Sequence, residues 1–221
     1  MSEFNLDGKV ALITGGSRGL GMALSRTLVE RDVSVVIVAR DGEALNRAVK
    51  GLQGKGDGKI EGQVADVTVT EDVERAVAYT VERFGRLDLL INCAGRSTRG
   101  RILDTPPDVF QALWDLNFLG TVRCTQACAP HLLQSQGHLV NIGSLASRAV
   151  SRYLGAYPAT KSALAAYTQQ LRLELGPKGV HVLLVCPGPI DRDDAGQWRL
   201  LCAGLGRLHA IHPTRRRGAG L

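Results

Sequence analysis

The chain has 221 residues, enough for one domain with a substantial core and short for two. Its composition, 44% hydrophobic and 22% charged, is that of a globular protein, and the apolar run over 10–14 is far shorter than a signal h-region or membrane span, so we read a cytoplasmic protein without a membrane span. The net charge of +6 does not argue for nucleic acid: five arginines and no acid follow Gly196, leaving 22 basic against 21 acidic groups before it, so "TRRR" reads as a solvated end.

Short runs rich in Val, Ile and Leu alternate with longer stretches of helical period. Strands are predicted over 10–14, 34–39, 59–64, 87–92, 138–142 and 181–185, and helices over 20–31, 42–53, 70–84, 107–134 and 155–176. Strands that read as continuous apolar runs are buried on both faces, which predicts a doubly wound parallel α/β sheet (Rossmann fold) of about six strands, with helices on both faces and right-handed crossovers. Past Pro187 the pattern fails: one short helix around 194–203 is followed by Gly, Arg and Pro. Residues 1–192 are therefore taken as the domain, and 193–221 as an Arg/Gly-rich tail expected to be poorly ordered.

The first predicted strand runs into "TGGSRGLG", which opens the first helix. Glycines at 15, 19 and 21 permit a tight turn, close backbone approach to a diphosphate and close helix-to-strand packing, and the helix N-terminus attracts the negative charge. A site for NAD ordinarily ends the second strand in an acid that holds the ribose hydroxyls. Here Ala39 is followed by Arg40, and Arg18 sits in the glycine turn. Two guanidinium groups suit a 2′-phosphate, so NADP(H) is expected over NAD(H); the alternative leaves Arg40 in solvent and gives the ribose to Asp41. The five cysteines form no C-x-x-C pair, which argues against a disulfide framework or a structural zinc; no metal is expected, and Cys124 and Cys128 read as apolar residues on a buried helix face.

Farther along, "DV" at Asp66 and Val67, "NCAG" at 92–95, "NFLG" at 117–120, "NIGS" ending at Ser144, "YPATK" at 157–161 and "PGPI" at 187–190 follow in order. Together with the glycine turn, these motifs resemble those of the short-chain dehydrogenase/reductase family over residues 8 to 192, with Cys93 where the family has a second Asn. The resemblance implies an oxidoreductase that moves hydride between nicotinamide and a carbonyl or secondary alcohol. It makes Asn117, Ser144, Tyr157 and Lys161 catalytic: Tyr157 the general acid/base, Lys161 its electrostatic support and a ribose ligand, Ser144 a donor to the substrate oxygen, Asn117 the holder of a proton-relay water. It assigns the cofactor to Gly15, Ser17, Arg18, Gly19, Leu20, Gly21, Arg40, Asp66, Val67, Asn92, Ala94, Gly95, Tyr157, Lys161, Pro187, Gly188 and Ile190.

The physical chemistry is consistent with those roles. Bringing a phenol from a pKa of ~10 toward ~7 takes roughly 4 kcal/mol of preference for the phenolate, which a nearby cation can supply. Four residues along a helix rise about 6 Å and share a face, so Tyr157 and Lys161 can reach one ligand. Pro158 suits a helix's first turn. The resemblance also implies a homodimer through helices 107–134 and 155–176.

Two departures stand out. Arg192 occupies a position where the family commonly has Thr, and the 33 residues after Gly188 lack the strand and helices that usually follow, so the C-terminus reads as short or divergent. This keeps open a second reading, a dinucleotide-binding redox sensor impaired in catalysis. The substrate is expected to be a small carbonyl or alcohol compound, with a lipophilic body suggested by the apolar loop "SLASRAVSRYLGAY".

Overall fold

Side chains alternate between the two faces of a strand, and this chain has apolar residues at nearly every strand position, so both faces need cover. A computed structural model, describing residues 5–188 and the backbone of 190–192 and 198–200, provides it. Six parallel strands, β1 (Val10–Thr14), β2 (Ser34–Ala39), β3 (Ile60–Val64), β4 (Leu89–Asn92), β5 (His138–Ile142) and β6 (His181–Val185), stand in the order β3-β2-β1-β4-β5-β6. Ala11 and Ile13 point toward α1 (Gly19–Val29) and α2 (Gly42–Leu52), whereas Leu12 and Leu90 join a second core cluster. That second cluster packs against α3 (Thr70–Phe84), α5 (Gly120–Ser135) and α6 (Tyr157–Leu175). Cys124 and Cys128 lie inside it, and burial pushes their thiols far up, Cys124 to about 12. The predicted double-wound sheet is therefore the observed one.

Three expectations change. The helix predicted over 107–134 is divided into α4 (Pro107–Trp114), a π-helical segment over 115–119 and α5. Helical periodicity does not register one extra residue per turn, and π segments often mark functional sites. Burial on both faces fails at β6, the outer strand: Leu183, in register with Val140 on the face of α1 and α2, is 52% exposed because those helices pack over β1, β2 and β3 and do not reach it. Where a helix was predicted around 194–203, the described backbone instead pairs β7 (Ile190–Arg192) with β8 (Trp198–Leu200) in an antiparallel ladder. The remainder of the predicted tail lies outside the described residues.

The order of the strands reverses between β1 and β4, and in open α/β sheets a ligand crevice opens at the carboxyl ends of the strands at such a point. The opposite end of the sheet is closed electrostatically. Asp88 is buried there, accepting from the Val10 amide at 3.0 Å and from the Arg86 guanidinium at 2.8 and 2.6 Å. Burial alone would raise its pKa, but these bonds hold it below the usual carboxylate range.

Candidate active site

At the crevice between β1 and β4 is a cavity of about 950 Å³. The glycine turn forms one wall. Gly15 and Gly19 have φ of 70° and 60°, in the left-handed region that glycine enters without strain. The Gly15 amide donates to the Val38 carbonyl at 2.8 Å, folding the turn back over β2. A Cβ on Gly15 would stand 2.9 Å from Ala94 Cα, and one on Gly21 only 2.3 Å from the Gly15 carbonyl oxygen, so bare backbone is required at both. No side chain caps α1, which leaves its first-turn amides at Gly19, Leu20 and Gly21 directed to the cavity they line. A glycine cradle closed to any Cβ, ending on an uncapped helix N-terminus, fits a dinucleotide diphosphate.

Of the residues expected at the cofactor, Gly15, Ser17, Arg18, Gly19, Leu20, Gly21, Arg40, Asp66, Val67, Ala94, Gly95, Tyr157, Lys161, Pro187 and Gly188 all line this cavity. Asn92 does not. Its amide faces the interior, donating to Asn141 Oδ1 at 2.9 Å and Thr125 Oγ1 at 3.3 Å, while Asn141 donates onward to Thr168 at 2.9 Å. Asn92 thus ties β4 to α5 and β5, and its neighbours Cys93 and Ala94 meet the cavity. The side chain of Ile190 lies outside the described residues.

At the ribose end, the Asp41 carboxylate accepts from the Ala44 amide at 3.0 Å and caps α2. This gives Asp41 a local structural role beside its place in the cavity wall, where Arg18 and Arg40 also stand, Arg40 3.3 Å from Asp66. Asp66 in turn accepts from the backbone and hydroxyl of Thr68 at 2.9 and 2.8 Å. Burial pushes its carboxyl up, but the Thr68 bonds and Arg40 outweigh that and keep it ionised below the usual range.

Ser144, Tyr157 and Lys161 line the other end of the cavity. Tyr157 opens α6, with Pro158 in the first turn as its fixed φ favours. The Ser144 hydroxyl oxygen accepts from the Ala146 amide at 3.1 Å, so its own hydrogen is available to a ligand. Lys161 is 5% exposed and donates to the Ile142 carbonyl at the end of β5 at 2.7 Å, with Nζ 6.0 Å from the centre of the Tyr157 ring. Burial lowers its pKa to about 8, the Cys93 and Cys186 sulfurs opposing this more weakly. The Cys93 thiol is itself pushed up to about 11 by burial, so it remains protonated.

Asn117 sits in the π-helical segment, fully buried, and does not line the cavity. Its Oδ1 accepts from the Arg96 amide at 2.9 Å, and its Nδ2 hydrogens go to the Arg96 carbonyl at 2.9 Å and Thr160 Oγ1 at 3.1 Å. Thr160 donates to the Tyr157 carbonyl at 2.8 Å. The amide is a pin between the loop after β4 and the first turn of α6. Both of its hydrogens are used, which leaves a water bound at Asn117 the second lone pair of Oδ1 or the backbone.

Sequence reasoning did not single out Thr14 or Thr160 as side chains that build the site, nor Arg96 and Arg99 as residues of its wall. Thr14 Oγ1 accepts from the amides of both Cys93 and Ala94 at 3.1 Å, fastening the two strands at the switch point. Its place as the first residue of the glycine motif was the available signal, as the place of Thr160 directly before Lys161 was for the other. Arg96 and Arg99 line the same cavity as Ser144 and Tyr157, and nothing in their local sequence announces that.

A parallel sheet with a glycine cradle at its switch point, and a serine, tyrosine and lysine at the far end of one cavity, defines a Rossmann-type nucleotide-binding protein equipped for oxidoreductase chemistry. The family profile of the short chain dehydrogenases matches residues 9–200, and the chain belongs to that family. An uncharacterized oxidoreductase of Staphylococcus saprophyticus is 35% identical over 192 residues, 86% of this chain and 82% of that protein. Similar solved structures include an NAD+-bound xylitol dehydrogenase (TM-score 0.80, 29% identity, 84% of this chain and 72% of that one). Another is a variant of the actinorhodin polyketide ketoreductase with NADPH (TM-score 0.79, 31% identity, 83% and 71%). The chain is therefore an oxidoreductase of a family that uses nicotinamide cofactors and acts on small molecules.

Proposed function

We propose that this protein is an NADP(H)-dependent oxidoreductase that interconverts a carbonyl compound and a secondary alcohol, with Tyr157 as the general acid/base. The observation that carries the reading is that Ser144, Tyr157 and Lys161 line the same cavity as the glycine cradle. The bound dinucleotide supplies or accepts the hydride. Ser144 donates its free hydrogen to the substrate oxygen, where charge develops. Tyr157 delivers a proton to that oxygen in reduction and removes it in oxidation. Lys161, held on the Ile142 carbonyl rather than on the phenol, supports the phenolate through space and is within the cavity to bind ribose. Asn117 keeps the Arg96 loop and the first turn of α6 in register, so its catalytic part is to position.

The similar structures hold NAD+ in one case and NADPH in the other, so the preference for NADP(H) rests on this chain's own Arg18 and Arg40, both in the cavity wall. A charge-assisted hydrogen bond contributes about 1.5–3 kcal/mol, so Arg40→Ala is expected to lower kcat/KM with NADPH by about tenfold or more and to leave NADH nearly untouched. Steady-state rates with both cofactors measure this, and a wild-type preference for NADH would refute the assignment. A panel of carbonyl compounds followed by NADPH absorbance tests the function itself; tight NADPH binding with no turnover on any of them would favour the sensor reading.

A homodimer through α4, α5 and α6 belongs to the same proposal. It is supported by a row of rings, Trp114 against Phe118 at 4.6 Å and Phe118 against Tyr167 at 5.7 Å, that joins α4 to α6 and leaves Trp114 36% exposed. Light scattering should report twice the chain mass for the wild type and a lower mass for Trp114→Glu; an unchanged monomer in both would remove the dimer. Among the described residues no helix is long and apolar enough to cross a membrane. The described cysteines, Cys93, Cys124, Cys128 and Cys186, are free thiols, which suits the reducing cytoplasm we propose as its location, and subcellular fractionation would test it.

A further inference from the structure

The cavity wall carries four arginines, Arg18, Arg40, Arg96 and Arg99, and two acids, Asp41 and Asp66. Both acids stand at the ribose end and are committed there, Asp41 to the α2 cap and Asp66 to Thr68 and Arg40. Among the described residues, the wall at the reacting end carries Arg96 and Arg99 and no acid. Residues 93–106 and 143–156, the two loops that carry Gly95, Ser144 and the approach to Tyr157, contain Arg96, Arg99, Arg101, Arg148 and Arg152 against a single acid, Asp104, which pairs with Arg101.

Among the described arginines, Arg40, Arg47, Arg75, Arg83, Arg86, Arg101 and Arg123 each pair with a carboxylate, and Arg18, Arg26, Arg31, Arg148, Arg152 and Arg172, like Arg96 and Arg99, do not. Among the described residues, the side chains of Arg96 and Arg99 have no hydrogen-bond or ion-pair partner. Their loop is nonetheless fastened at both ends. Asn117 holds the Arg96 backbone, and the Gly100 amide donates to the Tyr153 carbonyl at 3.0 Å, with Gly100 bridged to Leu154. Tyr153 itself has φ 63°, an uncommon conformation for a bulky residue that this cross-link helps maintain. Two guanidinium groups without a carboxylate partner, on a fixed loop in the wall of a cavity, are suited to hold a carboxylate or phosphate through charge-assisted hydrogen bonds.

We propose that the substrate is a carbonyl or hydroxy compound bearing an anionic group, a carboxylate or a phosphate ester, which Arg96 and Arg99 hold while Ser144 and Tyr157 engage the reacting oxygen. This rests on the oxidoreductase reading and names its substrate class. The cofactor's own phosphates are placed elsewhere: the diphosphate at the Gly19–Gly21 amides and a 2′-phosphate at Arg18 and Arg40. Arg96 follows Gly95, whose Cβ position lies 3.7 Å from Lys161 Nζ, on the reacting side. The lipophilic body suggested by the loop over 144–157 is compatible with an anionic head but does not account for the arginines.

The test uses the full chain and matched ketones that end in a carboxylate, a phosphate monoester or a neutral amide. It reads kcat/KM by NADPH absorbance and affinity by calorimetry on NADPH-saturated protein. One or both anionic series should exceed the amide by about tenfold or more, lose that advantage with added salt, and approach it in Arg96→Gln/Arg99→Gln. The carboxylate and phosphate arms identify the source of the charge. Equal values for anionic and neutral ketones would overturn the proposal, as would a double variant that weakens NADPH binding and leaves the anionic preference intact. If no ketone is turned over, the enzyme reading fails separately and calorimetry still decides: anion binding lost in the double variant sustains the arginine site, and no anion binding to the wild type overturns it.

Discussion

Tyr157→Phe is expected to lower turnover by about 10²–10⁴-fold while the affinity for NADPH stays near the wild-type value. Among the described residues the phenol hydroxyl has no hydrogen-bond partner in the free protein, so removing it strands no buried group. The ring, its packing at the start of α6 and the Thr160 bond to the Tyr157 carbonyl all persist in the variant. A fall in rate would then be chemical and not a consequence of misfolding. Absorbance assays with a reactive ketone give the rate, and NADPH fluorescence titration gives the affinity. Retained turnover would mean that another group moves the proton, and a parallel loss of NADPH binding would mean that the hydroxyl serves the cofactor.

Lys161→Met should produce the second large effect, in stability as well as in rate. Burial lowers the Lys161 pKa from 10.5 to about 8 in the cofactor-free protein. Between those two values the unfolded chain still holds a proton that the native chain has released, so this residue makes stability rise with pH across that interval. The whole rise amounts to about 3 kcal/mol, and below pH ~8 both states are protonated and the burial penalty is present in full. The Met variant lacks the penalty. Its stability in urea should therefore match or exceed that of the wild type at pH 7, and the difference should shrink toward pH 10, while kcat/KM falls about 100-fold or more. Parallel urea titrations at pH 7 and 9.5 measure this. A variant destabilised equally at both pH values would show that the bond to the Ile142 carbonyl outweighs the cost of burying the ammonium.

Much of this site is legible in the chain because its parts are local. The glycine turn needs backbone conformations and close approaches that only glycine provides, and these leave a mark at 15, 19 and 21. Tyr157 and Lys161 share a helix face through spacing alone. Asn92 and Asn117 are the instructive exceptions. Both occur in recognisable motifs, and neither side chain lines the cavity. Which way an asparagine at the end of β4 points depends on the partner opposite in the sheet, here Asn141, and that register is a property of two strands 49 residues apart. The Asn117 pin depends on a π-helical segment that shifts the helix phase without any Gly or Pro in the segment to mark the place.

The sequence by itself determined the alternation of strands and helices and the dinucleotide cradle, because each follows from spacing or from conformational freedom within a few residues; the phenol–ammonium pair is legible through the resemblance carried by the ordered motifs around it, not through its own spacing. Tertiary structure decided the rest. Contact with the Ile142 carbonyl fixes where the ammonium stands, and burial there sets its charge. The position of β6 at the sheet edge determines which apolar residues remain uncovered. The meeting of two distant loops at Gly100 and Leu154 brings Arg96 and Arg99 to the reacting end of the cavity. Burial and charge depend on which segments pack together, and no local pattern encodes that distance.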